Sequence, residues 1–142
     1  MPVLDDFSVD LDALKNATAA ILLANPNAPT GRALTRDDIA GLADSDRDRL
    51  VVIDEAYFGF GAETAVPLVA VYDNLIVTRS LSKSHALAGM RVGYAVAQAD
   101  LIEGLNRVKN SFNSYPLDAI AQAAATAAIE DYQRLDEAAQ SV

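Results

Sequence analysis

Cysteine is absent from the 142-residue chain, which removes disulfides and thiolate metal sites and fits a reducing compartment. Histidine is almost absent too. His85 stands alone, so no HExxH pair or other imidazole cluster exists to bind a metal, and a lone imidazole is read as packed or solvated, a neighbour of any site without a role in it. Cations are scarce, with 11 Lys and Arg against 20 Asp and Glu and a formal charge of -9. So acidic a surface repels nucleic acid and anionic membrane, and basic residues that do cluster need a local cause. No stretch approaches the roughly twenty apolar residues of a membrane span. The amino end, MPVLDDFSVD, also lacks the charged-then-apolar pattern of a secretory signal. These absences lead to the expectation of a soluble, cytoplasmic protein.

What is present is apolar: 51% of the residues are hydrophobic, enough for one compact unit burying roughly two-thirds of its unfolded surface. Four short runs, AILLAN (20–25), LVVIDEAY (50–57), NLIVTRS (74–80) and RVGYAVA (91–97), have the length, branching and flanking turn residues of buried strands. Between the first two, Thr35 with Asp38 three positions on has the form of a capping box opening a short helix. Strand, helix, strand implies a parallel pair. Helical patterns follow at about 99–110 and 116–140. The second has Pro116 in its first turn and is rich in alanine, which predicts close packing in the core. No linker or repeat divides the chain.

The third and fourth runs are separated by residues 81–90, fewer than the roughly dozen that a parallel crossover needs. The fold expected is therefore α/β, a mostly parallel sheet with one antiparallel strand (91–97) and flanking helices. In that arrangement the carboxyl ends of the first three strands and the amino end of the fourth share one edge. Asn27, Asp54, Tyr57, Ser80, Ser82, Lys83 and Arg91 fall on it, and open α/β sheets bind ligands outside the carboxyl ends of their strands.

Ser80, Ser82 and Arg91 have the donors for a phosphate, although GxxxxGK[ST] does not occur and GMRVG is not GxGxxG. A lysine beside a phosphate site and a strand-end aspartate meets the needs of pyridoxal phosphate chemistry. There a lysine forms a Schiff base, an anion pairs with the ring nitrogen and the phosphate is held separately.

NPNAPTG, VVIDEAYFGF, NLIVTRSLSKSHALAGMRVGYAVA and RVKNSFNSYPLDAIAQAA resemble, in order and spacing, consecutive blocks of the histidinol-phosphate aminotransferases, a branch of the fold-type I pyridoxal-phosphate enzymes. The resemblance runs over practically the whole chain. It implies that Lys83 forms the Schiff base and shuttles a proton, that Asp54 keeps the pyridine nitrogen protonated, and that Tyr57 bonds the ring hydroxyl. Ser80, Ser82 and Arg91 would bind the cofactor phosphate. The asparagine usual directly before PTG is here Ala28, with Asn27 one position earlier; either Asn27 substitutes or Tyr57 acts alone. Family members are more than twice as long, so the resemblance implies a partial large, cofactor-binding domain over 1–142. The earlier N-terminal segment and the C-terminal small domain would lie outside it.

The implied reaction exchanges an amino group between histidinol phosphate and 2-oxoglutarate, a step of histidine biosynthesis, in a homodimer whose partners are a small-molecule amino donor and a 2-oxo acid. An aromatic aminotransferase, a threonine-phosphate decarboxylase, or a non-catalytic regulatory module or inactive fragment of the same fold would carry similar blocks.

Overall fold

A computed structural model describes residues 4–113, 115 and 117–131. Four strands, β1 (Ile21–Ala24), β2 (Val51–Asp54), β3 (Leu75–Ser80) and β4 (Gly93–Val96), form one sheet in the order β1-β2-β3-β4. The first two pairings are parallel and the third is antiparallel, so the short connection after β3 is the sharp return its length predicts. Each strand lies inside its apolar run. The fourth is shorter at its start than the expected 91–97: Arg91 closes a single 3₁₀ turn (Ala88–Met90) in the left-handed region, φ 54°, and the chain becomes extended only after it.

The sheet is held on one side by α1 (Leu11–Lys15) and α2 (Arg36–Asp44). The capping box forms as expected: Thr35 Oγ1 accepts from the Asp38 N–H at 3.1 Å, and Asp38 Oδ2 accepts from the Thr35 N–H at 3.0 Å. Three and four residues apart, Ile39, Leu42 and Ala43 then face inward, and Ile39 and Leu42 meet Val51, Ile53, Leu75 and Val77 in one buried cluster. Each such aliphatic side chain contributes about 1.5–3 kcal/mol. The short α1, too brief for its periodicity to stand out, starts where Asp10 Oδ1 accepts from the Ala13 N–H at 2.9 Å.

One buried cation ties these pieces together. The guanidinium of Arg49 donates to the carbonyls of Leu14 at 3.1 Å and Lys15 at 3.2 Å, and to Leu42 O at 3.3 Å. These carbonyls end helices and have no partner within them, and a cation is favoured there by the helix dipole.

Beyond β4 come α3 (Ala99–Phe112) and α4 (Ala119–Glu130). The second begins later than expected, because Asp118 is its cap, its Oδ1 accepting from the Ala121 N–H at 2.9 Å. Pro116 and the end of the expected 116–140 helix lie outside the described residues. The expectation that this alanine-rich helix is core is corrected: only Ala121 and Ala125 are buried, against Leu81 and Val92. Two small side chains four residues apart let the helix rest on the return after β3, and the remainder of its surface, Ile120 included, faces outward.

Candidate functional site

The register brings the polar strand ends to one edge. Ala24, Asp54 and Thr78 are successive partners across β1, β2 and β3, and Ser80 pairs with Gly93 at the start of β4. Asp54 is therefore the last residue of β2, partly exposed, with Thr78 Oγ1 donating to its Oδ1 at 3.1 Å. That bond orients one carboxylate oxygen and leaves the other to accept from a ligand.

Past Asp54 the chain loops out before the 3₁₀ turn Val66–Ala70. Tyr57 sits at the start of this loop, its ring packed edge-on against Phe60 at 5.9 Å and 74°. Across from it, Lys83 Nζ stands 5.7 Å from the centroid of the Tyr57 ring. The lysine comes from the return after β3, whose first turn is fixed by hydroxyls: Ser80 Oγ accepts from the Ser82 N–H at 3.1 Å and lies 2.8 Å from Ser82 Oγ. This Ser/Thr-type turn bends the chain immediately after the strand.

The same return carries two cations, Lys83 directly after Ser82 and Arg91 just before β4. Among the described residues neither Lys83 nor Arg91 pairs with a carboxylate, in a chain of charge -9. Arg91 spends one donor on Ala88 O at 3.0 Å, and a guanidinium has five. Two hydroxyls with two unpaired cations suit an anion such as a phosphate ester, while Asp54 suits a protonated ring nitrogen. The residues present thus have the donors and acceptors that pyridoxal phosphate requires.

Asn27 fits less well. Its Oδ1 accepts from Thr30 Oγ1 at 2.9 Å, and its backbone closes the NAPTG turn through Gly31 N–H to Asn27 O at 2.8 Å. No hydrogen bond joins it to Asp54, Tyr57 or Lys83 among the described residues. The neighbouring Asn25 is buried and structural, its side chain bonding both backbone groups of Leu34.

Three residues at this edge escape a reading of sequence pattern: Thr78, Glu55 and Arg79. Thr78 touches the Asp54 carboxylate. Glu55 and Arg79, one residue on along each strand, form a buried ion pair at 2.9 Å on the opposite face. Their signal is the cross-strand register, visible in sequence only once Asp54 is set opposite Thr78.

The solitary His85 sits in the same return, partly buried, with Nδ1 at 2.8 Å from Ser84 Oγ. Burial first, and then the positive guanidinium of Arg79, hold its imidazole below its ordinary pKa. No group of three or more His, Cys, Asp or Glu able to hold a metal occurs among the described residues, and none of the described helices is long and apolar enough to cross a membrane.

The chain is 57% identical over 135 residues to a histidinol-phosphate aminotransferase of Gluconacetobacter diazotrophicus, covering 95% of this chain and 38% of that one. It is 59% identical to a second such protein, from Thiobacillus denitrificans, over 92% of this chain and 37% of that one. It thus spans under two-fifths of the length of these relatives. Among solved structures it resembles a histidinol-phosphate aminotransferase of Sinorhizobium meliloti in complex with pyridoxal-5'-phosphate, with TM-score 0.82 and 30% identity, over 99% of this chain and 39% of that one. The shared fold extends through the whole polar edge, and the match to aminotransferase class I and II covers residues 1–142. The match to the family model runs over the whole length that bears the strand-end aspartate, the lysine of the hydroxyl-pinned return and the arginine before β4, and this chain belongs to the class I and II aminotransferases.

Proposed function

We propose that this chain is the central part of the large, cofactor-binding domain of a pyridoxal-phosphate-dependent aminotransferase that moves an amino group between histidinol phosphate and 2-oxoglutarate. The observation that carries this reading is the single sheet edge on which Lys83 faces Tyr57 while Asp54 and the Ser80–Ser82 hydroxyl pair end the adjacent strands. The N-terminal segment and the small domain of the family are assigned to sequence outside the chain. A cytoplasmic homodimer is the assembly that goes with this reading.

Bound at this edge, pyridoxal phosphate would supply an electron sink for the charge left on an amino acid's α-carbon when its proton is removed. The chain's own groups do the rest. Asp54, held by Thr78, accepts from the ring N–H and keeps that proton in place. Tyr57 donates its phenolic proton to the ring hydroxyl oxygen. Asn27 Oδ1 is taken by Thr30, but its amide N–H donors are not, so Asn27 can share this task with Tyr57. Ser80 and Ser82 donate to the phosphate and Arg91 balances its charge. Lys83 Nζ would be the point of covalent attachment and, once the substrate's amino group has displaced it as a free amine, would be the base that takes the α-proton and hands it on to the cofactor carbon beyond the nitrogen. Two substrates using one site in turn give ping-pong kinetics.

The test is reduction with borohydride of the full-length protein mixed with pyridoxal phosphate, followed by peptide mapping. The label falls on Lys83, and Lys83→Ala loses both label and visible band. A label on another lysine of the folded protein overturns the site. Formation of glutamate from histidinol phosphate and 2-oxoglutarate then supports the substrate pair; turnover confined to aromatic amino acids, or release of carbon dioxide, overturns it.

A further inference from the structure

Glu55 follows Asp54 directly, so its side chain leaves β2 on the other face. It is 2% exposed. A carboxylate buried this deeply has to be paired and fully hydrogen-bonded, and the partners come from two directions. Oε1 accepts from the Ala65 N–H at 2.6 Å and lies 3.0 Å from Thr64 Oγ1, which also stands 2.9 Å from Oε2. Oε2 accepts from Arg79 Nε at 2.9 Å, with Nη2 at the same distance. Arg79 Nη2 also donates to Thr64 Oγ1 at 2.7 Å. The guanidinium is clamped on its flat side as well, its central carbon 3.5 Å from the centroid of the Phe58 ring.

These contacts join three points of the chain. Glu55 is one end of the loop after β2, Thr64 and Ala65 are the other end, and Arg79 belongs to β3, one residue before Ser80 and four before Lys83. The loop they close carries Tyr57 and Phe58 and bends through Gly59 and Gly61, at φ 91° and 87°. Without the closure, nothing else among the described hydrogen bonds ties the segment between Phe60 and Thr64 to β3. A buried ion pair contributes little stability beyond apolar groups of equal volume. What it adds is direction, through a rigid two-pronged fork.

We infer that Glu55, Thr64 and Arg79 form a latch that fixes the Tyr57 loop relative to β3, and thereby sets the position of the Tyr57 hydroxyl against Lys83. They are positioning residues: none of the three faces the Asp54 side of the sheet, and they act through Tyr57. The inference rests on the functional reading above, because it gives the latch its purpose.

The test compares wild type, Thr64→Val and Glu55→Gln in the full-length protein. Thr64→Val removes the hydroxyl, with its bonds to Glu55, Arg79 and the Val66 N–H, and keeps the ion pair, so it remains informative if Glu55→Gln does not fold. Without cofactor, amide exchange of a peptide covering 56–63 is expected to rise about tenfold in Thr64→Val while β1, β2 and β3 keep their protection. With pyridoxal phosphate added, its affinity falls about tenfold, and the pH midpoint of its visible band moves as Tyr57 is displaced. Thr64→Ser, which restores the hydroxyl, recovers both. Wild-type loop exchange in Thr64→Val overturns the latch, and so does a loosened loop with unchanged affinity and midpoint. Wild-type protein that takes up no cofactor overturns the functional reading itself, a result distinct from a variant that matches a cofactor-binding wild type.

Discussion

At the scale of single residues, His85 shows how a side chain can sense the site without belonging to it. Its imidazole is disfavoured as a cation by burial and by Arg79, the same guanidinium that holds Glu55. The sign of the effect follows. Because the folded value lies below the ordinary 6.5, the unfolded chain takes up the proton first as pH falls. This contribution to stability is intact above the ordinary value and declines as pH drops below it towards the folded value. The urea midpoint of wild type should therefore fall more steeply between about pH 7 and about pH 5 than that of His85→Asn. Parallel slopes would count against the coupling. Sequence pattern reads this histidine as a neighbour of the site; its protonation cost depends on the fold around it, which composition does not encode.

Elements decide which of the remaining roles were legible. The four apolar runs, their mixed pairing and the Thr35–Asp38 cap follow from length, alternation and turn chemistry, so the edge bearing Asp54, Tyr57, Ser80, Ser82 and Lys83 could be read from sequence. Asn27 could be placed on that edge but not assigned a partner, since its bond to Thr30 depends on how the NAPTG turn closes. Thr78, Glu55 and Arg79 depend on a register that no periodicity states. Register also explains Gly93. It faces Ser80 across the antiparallel pair, and a Cβ there would lie 2.9 Å from the Arg79 carbonyl oxygen. Gly93→Ala must push β4 from β3 beside the Ser80 hydroxyl, at about 1–3 kcal/mol. Thermal unfolding should drop by about 2–4 °C for each of those kcal/mol, and retention of pyridoxal phosphate should weaken with it. An unchanged midpoint would mean that the strands part at no cost.

For the whole molecule, the contrast lies between a dense inner cluster and an apolar outer face. No residue of α3 is buried, and Val108 and Phe112 are 60% and 79% exposed, so they hold little of this fold together. Val108→Ser with Phe112→Ser should leave the unfolding free energy of the chain within about 0.5 kcal/mol while lowering its binding of a hydrophobic dye such as ANS. A large loss of stability would show that these side chains pack against the described core after all. The alanine-rich α4 belongs to the same outer layer. Its composition suggested an interior helix because alanine suits close packing, but it makes such packing along one line only.

The order of the sheet, β1-β2-β3-β4, has a bearing on how the site comes into being. Every strand pairs with its neighbour along the chain, so each closure spans a modest loop and the entropy lost at each step is small. Asp54, Tyr57, Ser80 and Lys83 meet as soon as the second and third strands zip together. The polar edge can therefore form from residues 51–96 alone, without waiting for the helices that follow β4.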